Sequence, residues 1–407
     1  MSGVSERSVA GSSAGPRIAV IGAGIGGLTL GLALRARGLD ARIYERAGEL
    51  REVGAAVALA ANGSRVLTDL GLGDELAAVS EVPGELIFRH WRDGRVLARH
   101  PVGSEYLERF GGAFWGMHRA DLQRVLCAAW GDQELYLGRP LQWLGSGPDG
   151  MRMRFTDGSE ATADVVVGAD GLHSCVRGWV EPGATPFYSG TSGFRGLVPV
   201  DALGGLPDPG AVQFWIGPGR HLLHYRIGAV VNFLAVLDGP PRWAAPHGPA
   251  PAAAGELAAH FDGWHPAVLE MITAVPQSPR WPLFALAPLN RWRRDGVVLL
   301  GDAAHAMVPH HGQGANQTIE DAAVLADCLA DAVADGSPPC GHLDALDRYR
   351  RLRRARTRAV QRASWDTSAA LHLPDGAEAE ARDARLRELP ADIDWIHRYD
   401  PRGVVST

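Results

Sequence analysis

Three short stretches of this chain carry residue types spaced for chemistry. The first is Gly22-Ala23-Gly24-Ile25-Gly26-Gly27, which follows the apolar run 17–21 and precedes a helical run at 28–34; a second strand at 41–44 then ends in Glu45 and Arg46. In such a strand–turn–helix–strand unit, Gly22 permits the tight turn, Gly24 lets a pyrophosphate approach the backbone, and Gly27 lets helix and strand pack closely. Glu45 is placed to take ribose hydroxyls. The second stretch, Gly168-Ala169-Asp170-Gly171 with His173, Ser174 and Arg177 after it, puts an acid and glycines at a strand's carboxyl end, a phosphate-friendly corner. The third, VVLLGDAAHAMVPHHGQGANQTIEDA at 297–322, reads as a buried strand, a turn and a helix starting at Ala315. Asp302 there can accept hydrogen bonds from a ligand's hydroxyls. The unpaired amides and positive dipole end of the helix suit an anion or an electron-rich ring.

The remaining chain must hold these pieces at one sheet edge, where ligands of open α/β sheets bind. Asn62 or Ser64 is expected to cap a helix running toward Leu70. Segments 85–91 and 95–100 resemble a hairpin with an Asp-Gly turn, and 151–155 and 163–167 read as strands around Asp157 and Gly158. Arg119 opens a helix at its N-terminus, where a cation opposes the dipole and calls for an anionic partner. From Pro182 the pattern turns β-rich, with strands at 194–200, 212–216, 221–227 and 230–237. His221 and His224 lie three apart on one of them, so they face opposite sides and at most one serves a given pocket. A long helix at 342–370 carries Arg348, Arg350, Arg351, Arg353, Arg354, Arg356 and Arg358, read as a solvated face, and 374–407 reads as a short helical tail.

Composition narrows the chemistry. The chain has 407 residues, 46% hydrophobic and 21% charged, with net charge −6, which argues against nucleic acid as a partner. All 40 basic residues are arginine, so there is no lysine to serve a P-loop, a Schiff base or general-base catalysis. The four cysteines have no spacing that suits a metal, and no apolar run is long enough to span a membrane. A small neutral or anionic molecule is the expected partner, in a reducing cytoplasm.

Taken together, the three motifs resemble the single-component FAD-dependent aromatic hydroxylases, the para-hydroxybenzoate hydroxylase superfamily, and most closely its salicylate hydroxylase-like branch. MHRADLQ at 117–123, FRGLVP at 194–199, LPDG at 373–376 and DIDWIHRYD at 392–400 extend the resemblance over nearly the whole chain. It implies an α/β fold: a Rossmann-like FAD-binding domain (16–181, closed by 286–335), an interleaved β-rich substrate domain (182–285, joined by the hairpin near 84–100) and a C-terminal helical region (336–407), behind a disordered leader (1–15). By that resemblance Glu45 and Arg46 hold the adenosine half of FAD, Arg119 its pyrophosphate region and Asp302 the ribityl chain. Gly312, Gly314, Ala315 and Asn316 would lie beside the isoalloxazine. Ala58 joins the cofactor set, and Asp170 belongs to a motif associated with FAD and the nicotinamide donor. The implied reaction takes hydride from NADH or NADPH, captures O2 as a flavin C4a-hydroperoxide and hydroxylates an electron-rich ring, with His224, Arg195, Tyr225, His310 and His311 as candidates for catalysis. The expected protein is a cytoplasmic monomer or homodimer. Alternatives are a flavin dehydrogenase or prenyl-type reductase that inserts no oxygen, and a non-catalytic flavin sensor.

Overall fold

A computed structural model describes residues 15–50, 56–132, 134–243, 248–334 and 341–403. Nearly all of the expected leader, and the chain's last residues, lie outside this set.

Two sheets organise the molecule. The first has six strands in the order Arg293–Arg294, Val297–Leu299, Val165–Gly168, Ile18–Ile21, Ala41–Tyr44 and Leu135–Tyr136, all parallel except the first pair. Its central strands are apolar and buried along their whole length, as strands covered on both faces must be. Register does the positioning: Ile21 stands beside Gly168, and Gly168 beside Leu299. The Gly22 turn, the Asp170 corner and Asp302 therefore leave the sheet at one edge. Helices Ile25–Arg35 and Gly314–Ala334 pack together nearby; a Cβ on Gly26 would sit 2.5 Å from Thr318.

The second sheet has seven strands in the order Trp281–Ala285, Phe187–Pro199, Val230–Asp238, Arg220–Ile227, Val212–Gly217, Glu85–His90 and Val96–Pro101, the last two forming the Asp-Gly hairpin. Helices Glu256–His260 and Pro266–Thr273 cover one face, burying Trp215, Leu222 and Phe233 beneath Phe261, Val268 and Met271. The opposite face carries Arg195, Leu234, Leu223 and Phe214 in one cross-strand row, and alternation puts His221 and Tyr225 on that face too.

Three expectations change. The segment read as one strand at 163–167 is two: Glu160–Ala163 ends an antiparallel sheet and Val165–Gly168 starts the parallel one. Asp164 turns the chain between them, paired with Arg17 at 2.7 Å. Neither Asn62 nor Ser64 caps a helix: the helix Ala61–Leu67 begins before both, Asn62 donates to Gln313 and Glu320, and Ser64 donates to the carbonyl of Ala113. The arginines of helix Gly341–Leu371 are not simply a solvated face. Arg353 is fully buried between Glu320 (2.5 Å) and Asp321 (2.6 Å) of the neighbouring helix, and Arg356 joins them at Glu320. Four charges taken out of water are tolerable only because each is paired and hydrogen-bonded, and here they bolt the long helix onto the helix behind Gly314. Among the described residues no helix is long and apolar enough to cross a membrane.

Candidate active site

The glycine loop has the backbone its sequence demands. Gly22 sits at φ +109°, where a Cβ would lie 2.5 Å from the carbonyl oxygen of Ala169, and a Cβ on Gly27 would lie 1.9 Å from the carbonyl oxygen of Gly22. Gly24 is different: nothing lies within 4 Å of where its Cβ would be, leaving open space above the N-terminus of helix Ile25–Arg35. Glu45 reaches over this turn, accepting from the amides of Ala23 (2.8 Å) and Ala47 (2.9 Å). Arg46 is exposed beside it.

At the end of strand Val297–Leu299, Gly301 at φ +64° presents Asp302, exposed, as the first residue of the short helix Asp302–His305. Behind it the buried Asp321 carboxylate accepts from the amide of Gly301 (3.0 Å) and pairs with His305 (2.6 Å), and His305 and Arg353 hold its pKa below the usual range despite burial. The turn Pro309–His311 and Gly312 at φ +62° lead into helix Gly314–Ala334, with no atom near a Cβ at Gly314. Asn316, next after Ala315, is spent on backbone: it donates to the carbonyls of Ala58 and Gly312 and accepts from the amide of Ala60, tying strand Ala56–Leu59 to this loop. Asp170 is spent likewise. Its carboxylate accepts from Ser174, Cys175 and the amide of Val176, capping helix Cys175–Val180.

These features fit FAD. Two helix N-termini with open glycines meet at one sheet edge, an exposed carboxylate stands at the end of the adjoining strand, and an acid lies over the first turn.

The second sheet supplies the opposing wall. Tyr225, Phe214 and Leu223 pack with Ala56 and Phe114, and Gly116 leaves room for the Tyr225 ring, which a Cβ would approach at 3.1 Å. Arg195 is half-buried beside Tyr225 and Arg119, its guanidinium lying 5.6 Å from the Trp281 ring centre. Burial and the charge of Arg119 push the Arg195 pKa down, and burial pushes Tyr225 up. His310, on the loop before Gly314, stacks edge-on to His221 at 5.3 Å, and neither of its ring nitrogens has a hydrogen-bond partner. Its pKa is pushed down to about 3, chiefly by burial.

The structure thus sets Arg195 beside Tyr225 and His310 against His221, which shares a face of the sheet with them, and separates two other catalytic candidates from that face. His224 lies on the helix-covered face, opposite Gln213 and near Arg89, with burial pushing its pKa down to about 3. Its neighbour three residues back, His221, takes the cleft face instead. His311 turns to Thr367 of the long helix, 2.9 Å away.

Comparison with known proteins settles what this architecture is. Residues 17–194 and 284–364 match the FAD binding domain family. The chain is 41% identical to 3-amino-4-hydroxybenzoate 2-monooxygenase of Streptomyces cremeus, over 94% of each chain, and 35% identical to 6-hydroxynicotinate 3-monooxygenase of Bordetella bronchiseptica, over 87% of this chain and 91% of that one. This chain is an FAD-dependent aromatic monooxygenase. A salicylate hydroxylase solved with its substrate superposes with a TM-score of 0.85 at 26% identity, covering 97% of this chain and 98% of that one. As a member of the family the enzyme uses FAD, NAD(P)H and O2. FAD, when bound, supplies the hydride and oxygen chemistry, and the protein supplies binding, orientation and shelter from water.

Proposed function

We propose that this monooxygenase hydroxylates a small aromatic carboxylate that also carries a ring hydroxyl or amino group, of the aminohydroxybenzoate or hydroxynicotinate class. Arg195 carries the reading. Its guanidinium is half-buried on the cleft face of the sheet, and among the described residues it makes no ion pair with a carboxylate; the Trp281 ring lies against it, with Tyr225 and the like charge of Arg119 nearby. A partly desolvated guanidinium is best completed by a carboxylate, which its planar fork can bind in bidentate fashion. The substrates in the names of the two curated relatives are acids of this kind. Leu223, Phe214, Leu234 and Phe114 would hold the ring, while His221, Tyr225 and His310 face the hydroxyl or amino group whose proton must leave.

The cofactor roles of Glu45, Arg46, Arg119, Asp302 and the 312–316 turn belong to the same proposal, as does a substrate unit formed by 182–285 with the hairpin Glu85–Pro101. Asp170 would act on cofactor only through the corner it caps. A cytoplasmic location is in keeping with Cys127, Cys175 and Cys328, all unpaired.

The test is a panel of 3-amino-4-hydroxybenzoate, 6-hydroxynicotinate and their carboxamides, scored by stimulation of NADH and NADPH oxidation and by transfer of labelled O2 into product. The acids should stimulate oxidation and take up label, and the carboxamides should do so at least about a hundredfold less well, the scale of a lost charge-assisted contact in a desolvated site. Equal responses to acid and amide would overturn the assignment of Arg195. Oxidation of NAD(P)H with no label in any product would favour a dehydrogenase.

A further inference from the structure

The cleft face of the seven-stranded sheet continues past Tyr225 to the hairpin edge, and a second cavity opens there. Val212 stands beside Leu86, and Leu86 beside His100. With Val102, Phe110, Phe114 and Ile393 they line a cavity of about 150 Å3, closed over by helix Ser104–Phe110 and the short helices Leu389–Asp392 and Asp394–His397. An apolar cavity of about that volume holds one benzene-sized ring. Leu86, Phe114 and Val212 also pack with Tyr225, so they stand between this cavity and the cleft.

Two buried histidines give the apolar space its polar groups, and their partners fix the tautomers. Nε2 of His100 lies 2.8 Å from the carbonyl oxygen of Leu386, to which it can only donate, so neutral His100 keeps a bare Nδ1. The Tyr106 hydroxyl accepts from the amide of Ala61 (3.0 Å) and lies 2.9 Å from Nδ1 of His397. With no other acceptor among the described residues, its one proton goes to Nδ1, and neutral His397 carries its own on Nε2. Burial, with His311, Arg356 and Arg65 nearby, pushes the His397 pKa down to about 3, so the ring is neutral at ordinary pH. Neither His100 Nδ1 nor His397 Nε2 has a hydrogen-bond partner among the described residues.

We propose that this cavity binds a small neutral phenol, its ring in the apolar space and its hydroxyl matched to the free donor of His397 and the free acceptor of His100, and that its occupancy tightens FAD. A carboxylate is a poor occupant. The two imidazoles offer it no charge, Arg109 at the rim is already taken by Asp394 (3.0 Å) and the carbonyl of Pro390 (2.9 Å), and Glu105 lies exposed beside it. The cavity and the cleft thus divide aromatic ligands by charge.

The link to the cofactor is a closed ring of hydrogen bonds. Ala61, held by Tyr106, lies between Ala60, whose amide donates to Asn316 (2.9 Å), and Asn62, which donates to Gln313 (2.9 Å) and Glu320 (2.5 Å). Glu320 takes Arg356 (2.7 Å), and Arg356 donates to the carbonyl of Ile396 (2.9 Å), the residue before His397. A ligand that needs Tyr106 and His397 in place favours the arrangement that holds the turn at 312–316, and by reciprocity FAD favours the ligand by the same factor. This coupling rests on the cofactor role given to that turn above; the binding does not.

The FAD-loaded enzyme and two variants test both parts. Crystals soaked in 4-bromophenol should show the bromine anomalous signal between Phe110 and Ile393; a signal only beside Tyr225, or none, would overturn the site. In solution, 19F spectra of 4-fluorophenol should reveal binding that excess benzoate does not displace and that Ile393→Trp, whose indole fills the space, weakens at least about tenfold. Bromine in the crystal without that solution binding would mean binding at crystal concentration only, and wild-type affinity in Ile393→Trp would equally sink the proposal. If that variant does not fold, Leu389→Trp fills the same space. The FAD dissociation constant, read from the fluorescence of flavin released on dilution, should fall about fivefold with phenol in the wild type and change less than about twofold in Tyr106→Phe. Bound phenol that leaves the wild-type FAD constant unchanged would overturn the coupling and the role of the 312–316 turn in it, a failure read separately from failure to bind.

Discussion

The two faces of the seven-stranded sheet use nearly the same residues to opposite ends. Each carries an arginine and a histidine. On the helix-covered face Arg89 is closed off by protein: it donates to Gln213 (2.6 Å) and to the carbonyl of Gly94 (2.9 Å), pairs with Asp208 and stacks near Trp215, while His224 lies buried close by. On the cleft face Arg195 has an aromatic ring but no acid, and His221 is hydrogen-bonded to His372, which meets Asp238. Burying a charge is costly unless it is paired, so the face that closes its arginine off with an acid, an amide and a carbonyl is building structure. A face that leaves an arginine and the His310 nitrogens open has been shaped for something the protein does not itself contain.

If that contrast is right, the two arginines should fail differently when each is replaced by methionine. Arg195→Met should cut kcat/KM for the substrate acid by about a hundredfold or more while leaving thermal stability and flavin content nearly unchanged. Arg89→Met should leave KM unchanged and lower stability by about 2 kcal/mol in denaturant unfolding, less than for a fully buried pair because Asp208 is partly exposed. A loss of stability at Arg195 equal to that at Arg89 would erase the distinction. The third difference is read in pH. In the fold His224 stays neutral down to about 3, whereas unfolded it takes a proton below its usual 6.5. Its contribution is therefore intact above pH 6.5 and lost progressively as pH falls toward 3, by about 1.4 kcal/mol per pH unit. His224→Gln should flatten the acid side of the stability curve by that slope, as followed by urea unfolding between pH 6.5 and 4. A curve that keeps its wild-type slope would mean His224 is not buried as described.

Legibility followed range. The turn at Gly22, the acid at Glu45 and the Gly301–Asp302 corner are local patterns, in which steric and hydrogen-bonding needs act within a few residues, so they could be read in order. The alternation of His221 and His224 was equally readable, and it correctly forbade both from one pocket. Which one faced the cleft depended on where two helices, Glu256–His260 and Pro266–Thr273, would pack, and no periodicity in the strand encodes that. The pairing of His372 with His221 and Asp238 joins a strand to the chain far beyond it, and the only sign of it was the LPDG segment that follows His372. The arginines of the long helix look solvated when taken alone. Arg353 becomes a core residue only because Glu320 and Asp321 are buried on the helix it meets. Asp170 was a fair choice of ligand by type and position, yet its carboxylate closes on its own helix.

The most direct test sets the two histidines against each other: His221→Gln and His224→Gln, each purified with FAD, compared for product formed from 3-amino-4-hydroxybenzoate in a single turnover at saturating substrate. The cleft-face assignment predicts that His221→Gln slows product formation by about a hundredfold with flavin and substrate still bound, the scale of a lost general base, and that His224→Gln stays within about threefold of the wild type. A His224→Gln enzyme as impaired as His221→Gln, or more so, would contradict it.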